Sequence, residues 1–344
     1  MRVFGHYKRN IFILLISLVI FVSCEKDNGF DIISKDPNVI IVSTQHLAFP
    51  DLIYYDNYWY VTFRMSDAHL EGSYSKIIVM KSPDFINWEK INEYEYSGFD
   101  LRDPRFSYND VSNSLYLHFM AVNRDKTNLQ RINKYIKFNC EEGFFVDDIT
   151  INAIRMPEQY TNDWLWRPVW EKGAMFAGGY SSGNLRFYKY DNLYSTPRIF
   201  SRLYGLSASE STLRFYNRNL YTITRTNKNV LFGIIHEVDS TLFLDSESEI
   251  EYKWISLPFE QFGGPNMIVI DDIMIFGGRV NDKTQIYKYS FQNNNIELLV
   301  DLLSYGIDNA YPGFFLLNNK IYGVYYSQTE NHDGFMIRSF ILQL

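Results

Sequence analysis

The sequence predicts an all-β fold, a six-bladed β-propeller closed by an N-terminal strand, and three observations carry that expectation. A pair of strands joined by a short polar turn recurs six times, at intervals of about 45 to 65 residues. No helical period of useful length interrupts the repeat, and the chain holds 27 Tyr and 27 Phe among its 344 residues, types that suit pleated, half-buried strands. A strand without a blade of its own, Asn-Val-Ile-Ile-Val-Ser over 38–43, precedes the first copy, and the last copy lacks a fourth strand. Pairing the two closes the ring and removes two exposed edges in one step.

The first copy runs from Phe49-Pro50-Asp51-Leu52 to Tyr60-Val61-Thr62-Phe63-Arg64, and the second from Asp103-Pro104-Arg105 to Tyr116-Leu117-His118-Phe119-Met120. The third runs from Arg167-Pro168-Val169 to Phe176-Ala177-Gly178-Gly179-Tyr180, and the fourth from Ser211-Thr212-Leu213 to Tyr221-Thr222-Ile223-Thr224-Arg225. The fifth joins Pro265-Asn266-Met267 to Ile275-Phe276-Gly277-Gly278-Arg279, and the sixth joins Tyr311-Pro312-Gly313 to Gly323-Val324-Tyr325-Tyr326. The intervening Asp56-Asn57, Asn109-Asp110, Lys172-Gly173, Asn217 to Asn219, Asp271-Asp272 and Asn318-Asn319 are hairpin turn signals. Third strands are expected over 76–81, 133–138, 185–190, 230–236, 285–290 and 335–342, and fourth strands over 88–96, 147–155, 196–204, 252–256 and 296–300.

Ahead of the repeat, Arg2, Lys8 and Arg9 precede an apolar run over 11–22 that is short for a bilayer span. We read 1–24 as a signal peptide, 25–37 as a solvated tether and 38–344 as the propeller. Removal of the signal leaves Cys140 alone, so no intrachain disulfide is expected, and a lone cysteine beside a strand is a small buried hydrophobe. A net charge of −7 gives no reason to expect a nucleic-acid partner. Metal-protease, zinc-module and phosphate-loop motifs are missing, and no metal or cofactor is expected.

Chemistry enters through the arginines. The second strands of copies one, four and five end on Arg64, Arg225 and Arg279, and a propeller puts these ends at one mouth of its channel. Three convergent guanidinium groups ask for an anion. Arg102, Arg105 and Arg167, at inner-strand starts, are further cations in reach. Loops after second strands, such as 66–75 with Asp67 and His69, form candidate pocket walls. His118, ending an apolar strand, reads as an interior histidine, and Trp164 and Trp166 as blade packing or stacking platforms for a sugar ring.

Several motifs resemble those of the sialidases, six-bladed propellers that hold a sugar carboxylate between arginines and attack with a glutamate-assisted tyrosine. Ser207-Ala208-Ser209-Glu210-Ser211-Thr212-Leu213-Arg214, followed by Arg225, is similar to the segment bearing the assisting glutamate and an arginine one hairpin later. Ala310-Tyr311-Pro312-Gly313 resembles the segment that presents the nucleophilic tyrosine. Ser82-Pro83-Asp84-Phe85-Ile86-Asn87-Trp88 resembles an Asp-box without its usual glycine. Phe21-Val22-Ser23-Cys24 resembles a lipoprotein signal with Cys24 lipidated, and Glu25-Lys26-Asp27-Asn28 resembles the export signal of surface lipoproteins in the Bacteroides group.

That resemblance implies a lipid-anchored glycoside hydrolase at a Gram-negative outer membrane or cell surface. Its partner would be a glycan ending in an acidic sugar; it would touch the membrane only through its lipid and act as a monomer. It implies Tyr311 as nucleophile, Glu210 as its base, and Arg64, Arg225 and Arg279 as the carboxylate clamp, with Arg105, Arg167, Asp103 and His69 as further substrate contacts. The general acid maps onto Asp67, with Asp51 and Asp103 as rivals. One departure stands out: where the family opens its first blade with Phe-Arg-Ile-Pro, this chain reads Leu47-Ala48-Phe49-Pro50. Two other readings stay open. One is a carbohydrate-binding propeller without turnover; the other is a propeller glycosidase using Asp51, Asp103 and Glu210, against which six copies and a glutamate in the fourth speak.

Overall fold

The computed structural model describes residues 38–125, 130–138, 152–236, 238, 250 and 252–344. The signal peptide, Cys24, the tether and Cys140 lie outside the described residues.

Six four-stranded antiparallel sheets form the blades of a propeller. The first comprises β2 (His46–Tyr55), β3 (Tyr58–Ser66), β4 (Ser75–Ser82) and β5 (Glu89–Tyr94). The second comprises β6 (Phe99–Asn109), β7 (Ser114–Asn123), β8 (Arg131–Lys137) and β9 (Asn152–Ala153). The third holds β10 (Trp164–Glu171), β11 (Ala174–Ser181), β12 (Asn184–Tyr190) and β13 (Arg198–Leu203), and the fourth β14 (Ser211–Tyr216), β15 (Asn219–Arg225), β16 (Val230–Ile235) and β17 (Lys253–Leu257). The fifth holds β18 (Phe262–Ile270), β19 (Ile273–Val280), β20 (Lys283–Ser290) and β21 (Ile296–Asp301). The sixth has β22 (Tyr305–Leu317), β23 (Lys320–Gln328) and β24 (Phe335–Gln343) from its own copy, and its fourth strand is β1 (Asn38–Ser43). β1 pairs antiparallel with β24, Asn38 opposite Ser339 and Ser43 opposite Phe335, so the ring closes as its edges demand.

The hairpins follow from their turn residues. Asp56 and Asn57, Lys172 and Gly173, Asn217 and Arg218, and Asn318 and Asn319 all take positive φ, the conformation whose twist matches two flanking strands. Six apolar cores fill the six joints between neighbouring blades. On β3, Tyr60 packs into the joint with the second blade while its neighbour Val61 packs into the joint with the sixth. Both faces of an inner strand are therefore buried, which is why these strands read as unbroken apolar runs. The segment over 82–88 that resembles an Asp-box makes its turn without glycine. Asp84 accepts from the backbone N–H groups of Ile86 and Asn87, and these bonds hold its carboxyl well below the usual range. Phe85 takes φ 66° and packs its ring against both Trp59 and Tyr322, 4.9 Å from each.

The structure corrects the inner strands at their starts. The sequence reading began them at or beside the prolines, but β2, β6, β10, β18 and β22 begin upstream and run through Pro50, Pro104, Pro168, Pro265 and Pro312. A bulge at each proline makes this possible, because the register shifts there and the missing N–H costs no ladder bond. Of the fourth strand expected over 147–155 in the second blade, Asn152–Ala153 is a strand, and 147–151 lie outside the described residues.

Candidate active site

Each of the five bulges has the same construction. The residue before the proline takes a left-handed backbone: Phe49 (φ 57°), Asp103 (φ 49°), Arg167 (φ 40°), Gly264 (φ 62°) and Tyr311 (φ 51°). Such φ values are strained for side chains other than glycine, and their recurrence at one level of the ring marks a built feature. The fourth blade has no proline and no bulge; its ladder is regular and Glu210 stands just ahead of β14. The six mouth positions thus read Phe49, Asp103, Arg167, Glu210, Gly264 and Tyr311.

Two of them meet directly. Tyr311 Oη donates to Glu210 Oε1 at 2.6 Å, across 101 residues of sequence. The second oxygen, Oε2, accepts from Gly264 N at 2.8 Å and from Arg225 Nη1 at 3.2 Å. Arg225 reaches it because the two residues are cross-strand neighbours, Arg225 N donating to Glu210 O. Unlike its four counterparts, Gly264 is required for space, since a Cβ there would lie 2.5 Å from Tyr311 Cγ. Phe49 and Trp166 pack edge-on against the Tyr311 ring at 4.9 and 5.8 Å. Burial, then the neighbouring Glu210 charge, pushes the Tyr311 phenol well above its usual pKa, so the resting proton stays on the phenol.

Beside this pair opens a cavity of about 460 Å³, lined by Glu210, Arg225, Arg279, Tyr180, Glu260 and Asp282 among others. The Arg225 side chain is 38% exposed and that of Arg279 24%, so both present cationic surface to it. Arg279 is anchored by the carbonyls of Ile307 and Asn309, at 3.3 and 3.4 Å.

Arg64 does not join them. Its side chain has no exposure; Nε and Nη2 donate to Asp100 Oδ1 at 3.0 and 2.9 Å, and Nη1 donates to Ser66 Oγ and to the Ala68 carbonyl. The expected three-arginine cluster is therefore corrected to two, because a buried carboxylate consumes the third. Arg102 lies nearer the mouth: its guanidinium sits 5.3 Å from the Phe49 ring, Nη1 donates to His69 O and Asp100 Oδ2, and Nε has no partner.

The other expected residues fall into two groups. Asp51, Arg105 and Arg167 are girders of the channel. Asp51 accepts from Arg167 Nη1 at 2.7 Å and from Phe106 N at 2.8 Å, and Arg167 Nη2 reaches the Pro312 carbonyl. Arg105 donates to the carbonyls of Phe49, Pro50 and Pro104 and lies over the Trp166 ring. A carboxyl so held is a poor candidate for proton transfer, which corrects the reading of Asp51 as a catalytic rival. Asp103 differs: it is buried, its Oδ1 has no hydrogen bond but faces Arg105 Nη2 at 3.7 Å, and burial raises its pKa against the opposing charges of Arg105 and Arg102. Asp67 is exposed on the loop after β3, its N–H bonded to the Tyr74 carbonyl. His69, on the same loop, has Nδ1 3.0 Å from Asp308 Oδ2. His118 is interior, as read, and bonded to Ser107 Oγ at 2.6 Å. The sequence reading missed Asn266, fully buried, which ties the Pro312 carbonyl to Arg214. It also missed Asp100 and Asp308, whose partners lie dozens to hundreds of residues away.

No protein-family profile and no curated protein matches the sequence. Solved structures do match. Trypanosoma rangeli sialidase in complex with sialic acid is 11% identical at a TM-score of 0.59, over 92% of this chain and 59% of that one. The Hadza microbial sialidase Hz136 is 9% identical at a TM-score of 0.60, covering 86% and 65%. A leech intramolecular trans-sialidase is 11% identical at a TM-score of 0.56, covering 87% and 68%. The chain thus has the six-bladed propeller fold of these sialidases. It spans little more than half the length of the trypanosomal enzyme, 54% in one structure of it.

Proposed function

We propose that the chain is a sialidase-like exo-glycosidase that removes a terminal acidic sugar, sialic acid foremost, from a glycan. The observation that carries this reading is the 2.6 Å hydrogen bond from Tyr311 to Glu210 beside a cavity lined by Arg225 and Arg279. An anomeric carbon bearing its own carboxylate repels a carboxylate nucleophile, whereas a neutral phenol approaches without that penalty. In the first step Tyr311 Oη bonds to the anomeric carbon, its proton passes to Glu210, and the glycosidic C–O bond breaks as the leaving oxygen takes a proton from a carboxyl acid. Water then bonds to the anomeric carbon and gives its proton to that acid. The bond to Tyr311 breaks, and the phenol recovers its proton from Glu210. Arg225 and Arg279 hold the sugar carboxylate by charge-assisted bonds throughout. Asp67 is assigned as the acid, and Asp103 to a substrate hydroxyl. The proposed setting is a Gram-negative surface, with the monomeric protein tethered through a lipid on Cys24.

Turnover of a fluorogenic sialoside by the full-length protein in mild detergent tests the reading. Tyr311→Phe and Glu210→Ala should each lose about a hundredfold or more in kcat while still binding free sialic acid. Asp67→Asn should lose far more on an alkyl glycoside than on the activated fluorogenic one, whose leaving group needs no proton. A second reading, binding without turnover, is favoured by Ala48 standing where the family has an arginine and by the engagement of Arg64 with Asp100. Sialoside binding by the parent with no turnover of any sialoside supports it.

A further inference from the structure

We propose that His46, His69 and Asp308 bind one divalent transition-metal ion of zinc's class at the joint between the first and sixth blades. The three come from the start of β2, the loop after β3 and the N-terminal part of β22, separated by up to 262 residues, and their donor atoms converge. His46 Nε2 lies 2.8 Å from Asp308 Oδ2, His69 Nδ1 lies 3.0 Å from the same oxygen, and the two ring nitrogens are 3.3 Å apart. Tetrahedral zinc with bonds of about 2.0–2.1 Å puts neighbouring donors ~3.3 Å apart, so the triangle has only to open by a few tenths of an ångström on two edges. Two imidazoles and a carboxylate are the borderline donor set that such ions select over calcium or magnesium.

The surroundings hold the donors in place. His46 is buried, its ring edge-on to those of Phe335 and His69, and its Nδ1 lies 3.4 Å from Ser66 Oγ. Tyr326 donates to the other oxygen of Asp308 at 2.6 Å, turning Oδ2 toward the histidines. These are the outer contacts that orient metal ligands. His69 is 44% exposed, which leaves a side open for water as fourth ligand. Two cations stand close, Arg279 at 3.8 Å from Asp308 Oδ1 and Arg64 at 3.4 Å from His46 Nδ1, and they oppose a second positive charge. The site is therefore one of moderate affinity. An ion there would pin the loop carrying Asp67 to the strand that presents Tyr311, three residues beyond Asp308.

The test uses the full-length protein in detergent, purified without a polyhistidine tag, stripped with chelator and titrated with zinc by calorimetry. The same protein is loaded with cobalt for visible absorption. The expected result is one zinc per chain and a cobalt spectrum of the intense tetrahedral type. His69→Ala, exposed and so tolerated by the fold, and Asp308→Asn should each weaken zinc at least tenfold with circular dichroism unchanged. His332→Ala, an exposed histidine elsewhere, should leave zinc binding as in the parent. Binding of less than one zinc per chain by the parent, or unchanged zinc affinity in folded His69→Ala, overturns the proposal and leaves a carboxylate bridging two imidazoles through protons alone.

Discussion

Tyr311 and Glu210 illustrate how a single residue's setting determines what it can do. Tyr311 is one of 27 tyrosines, and composition gives it no distinction. Its left-handed φ, its place over Gly264 and its bond to Glu210 do. Replacing Gly264 by alanine puts a methyl group into the phenol ring, and because catalytic geometry is sensitive at the ångström level, turnover should fall about a hundredfold. A parent-like rate in a Gly264→Ala protein whose crystal structure shows the phenol displaced from Glu210 would remove Tyr311 from the mechanism. His118 makes a prediction about pH. Burial pushes its pKa from 6.5 down to about 3, so the native state refuses a proton that the unfolded chain accepts. Its neutral state supports the fold fully above 6.5, and that support is lost as pH falls toward 3, at up to about 1.4 kcal/mol per pH unit. Denaturant midpoints at about pH 7 and about pH 4.5 should converge more closely for His118→Gln than for the parent. At this scale legibility was uneven. The neighbourhood of Glu210 and Tyr311 could be anticipated because both sit in short local motifs. Arg64 could not be placed, because Asp100, 36 residues on, decides whether its charge is free. The His46, His69 and Asp308 cluster has no local motif at all.

Among elements, the inner strand with its proline bulge repeats most and governs the site. The hairpin signals placed every inner pair, and the alternate burial of neighbouring residues explains their apolar runs. The bulges were not foreseen, since a proline reads as the end of a strand until the ladder shows that its missing N–H faces no partner. They matter because the bulge turns the residue ahead of each proline to the mouth, and because the one blade without it supplies Glu210. β1 was legible for a different reason: an orphan strand before the first copy and a missing strand after the last leave only one pairing that removes both edges. Deleting residues 38–43 should expose β24, lower the thermal midpoint by several degrees and make the protein aggregate on heating. Unchanged melting and solubility would mean that β24 needs no partner.

For the whole molecule, ring closure does what no local segment can. It collects side chains from six blades around one channel, and it spends most of the buried charge there on structure: Asp51 with Arg167, Asp100 with Arg64 and Arg102, and Arg105 with the bulge carbonyls. Among the described residues, Arg225 and Arg279 are the arginines that line the cavity. The resemblance read from the sequence and the match to sialidase folds agree on this architecture, while the chemistry rests on the phenol. Intact-mass and peptide analysis of the protein after incubation with a 2,3-difluorinated sialic acid tests that directly. The account predicts one sugar adduct per chain, with loss of fluoride, on Tyr311 and none in Glu210→Ala. An adduct on a carboxylate, or sialoside turnover with no adduct on Tyr311, would contradict it.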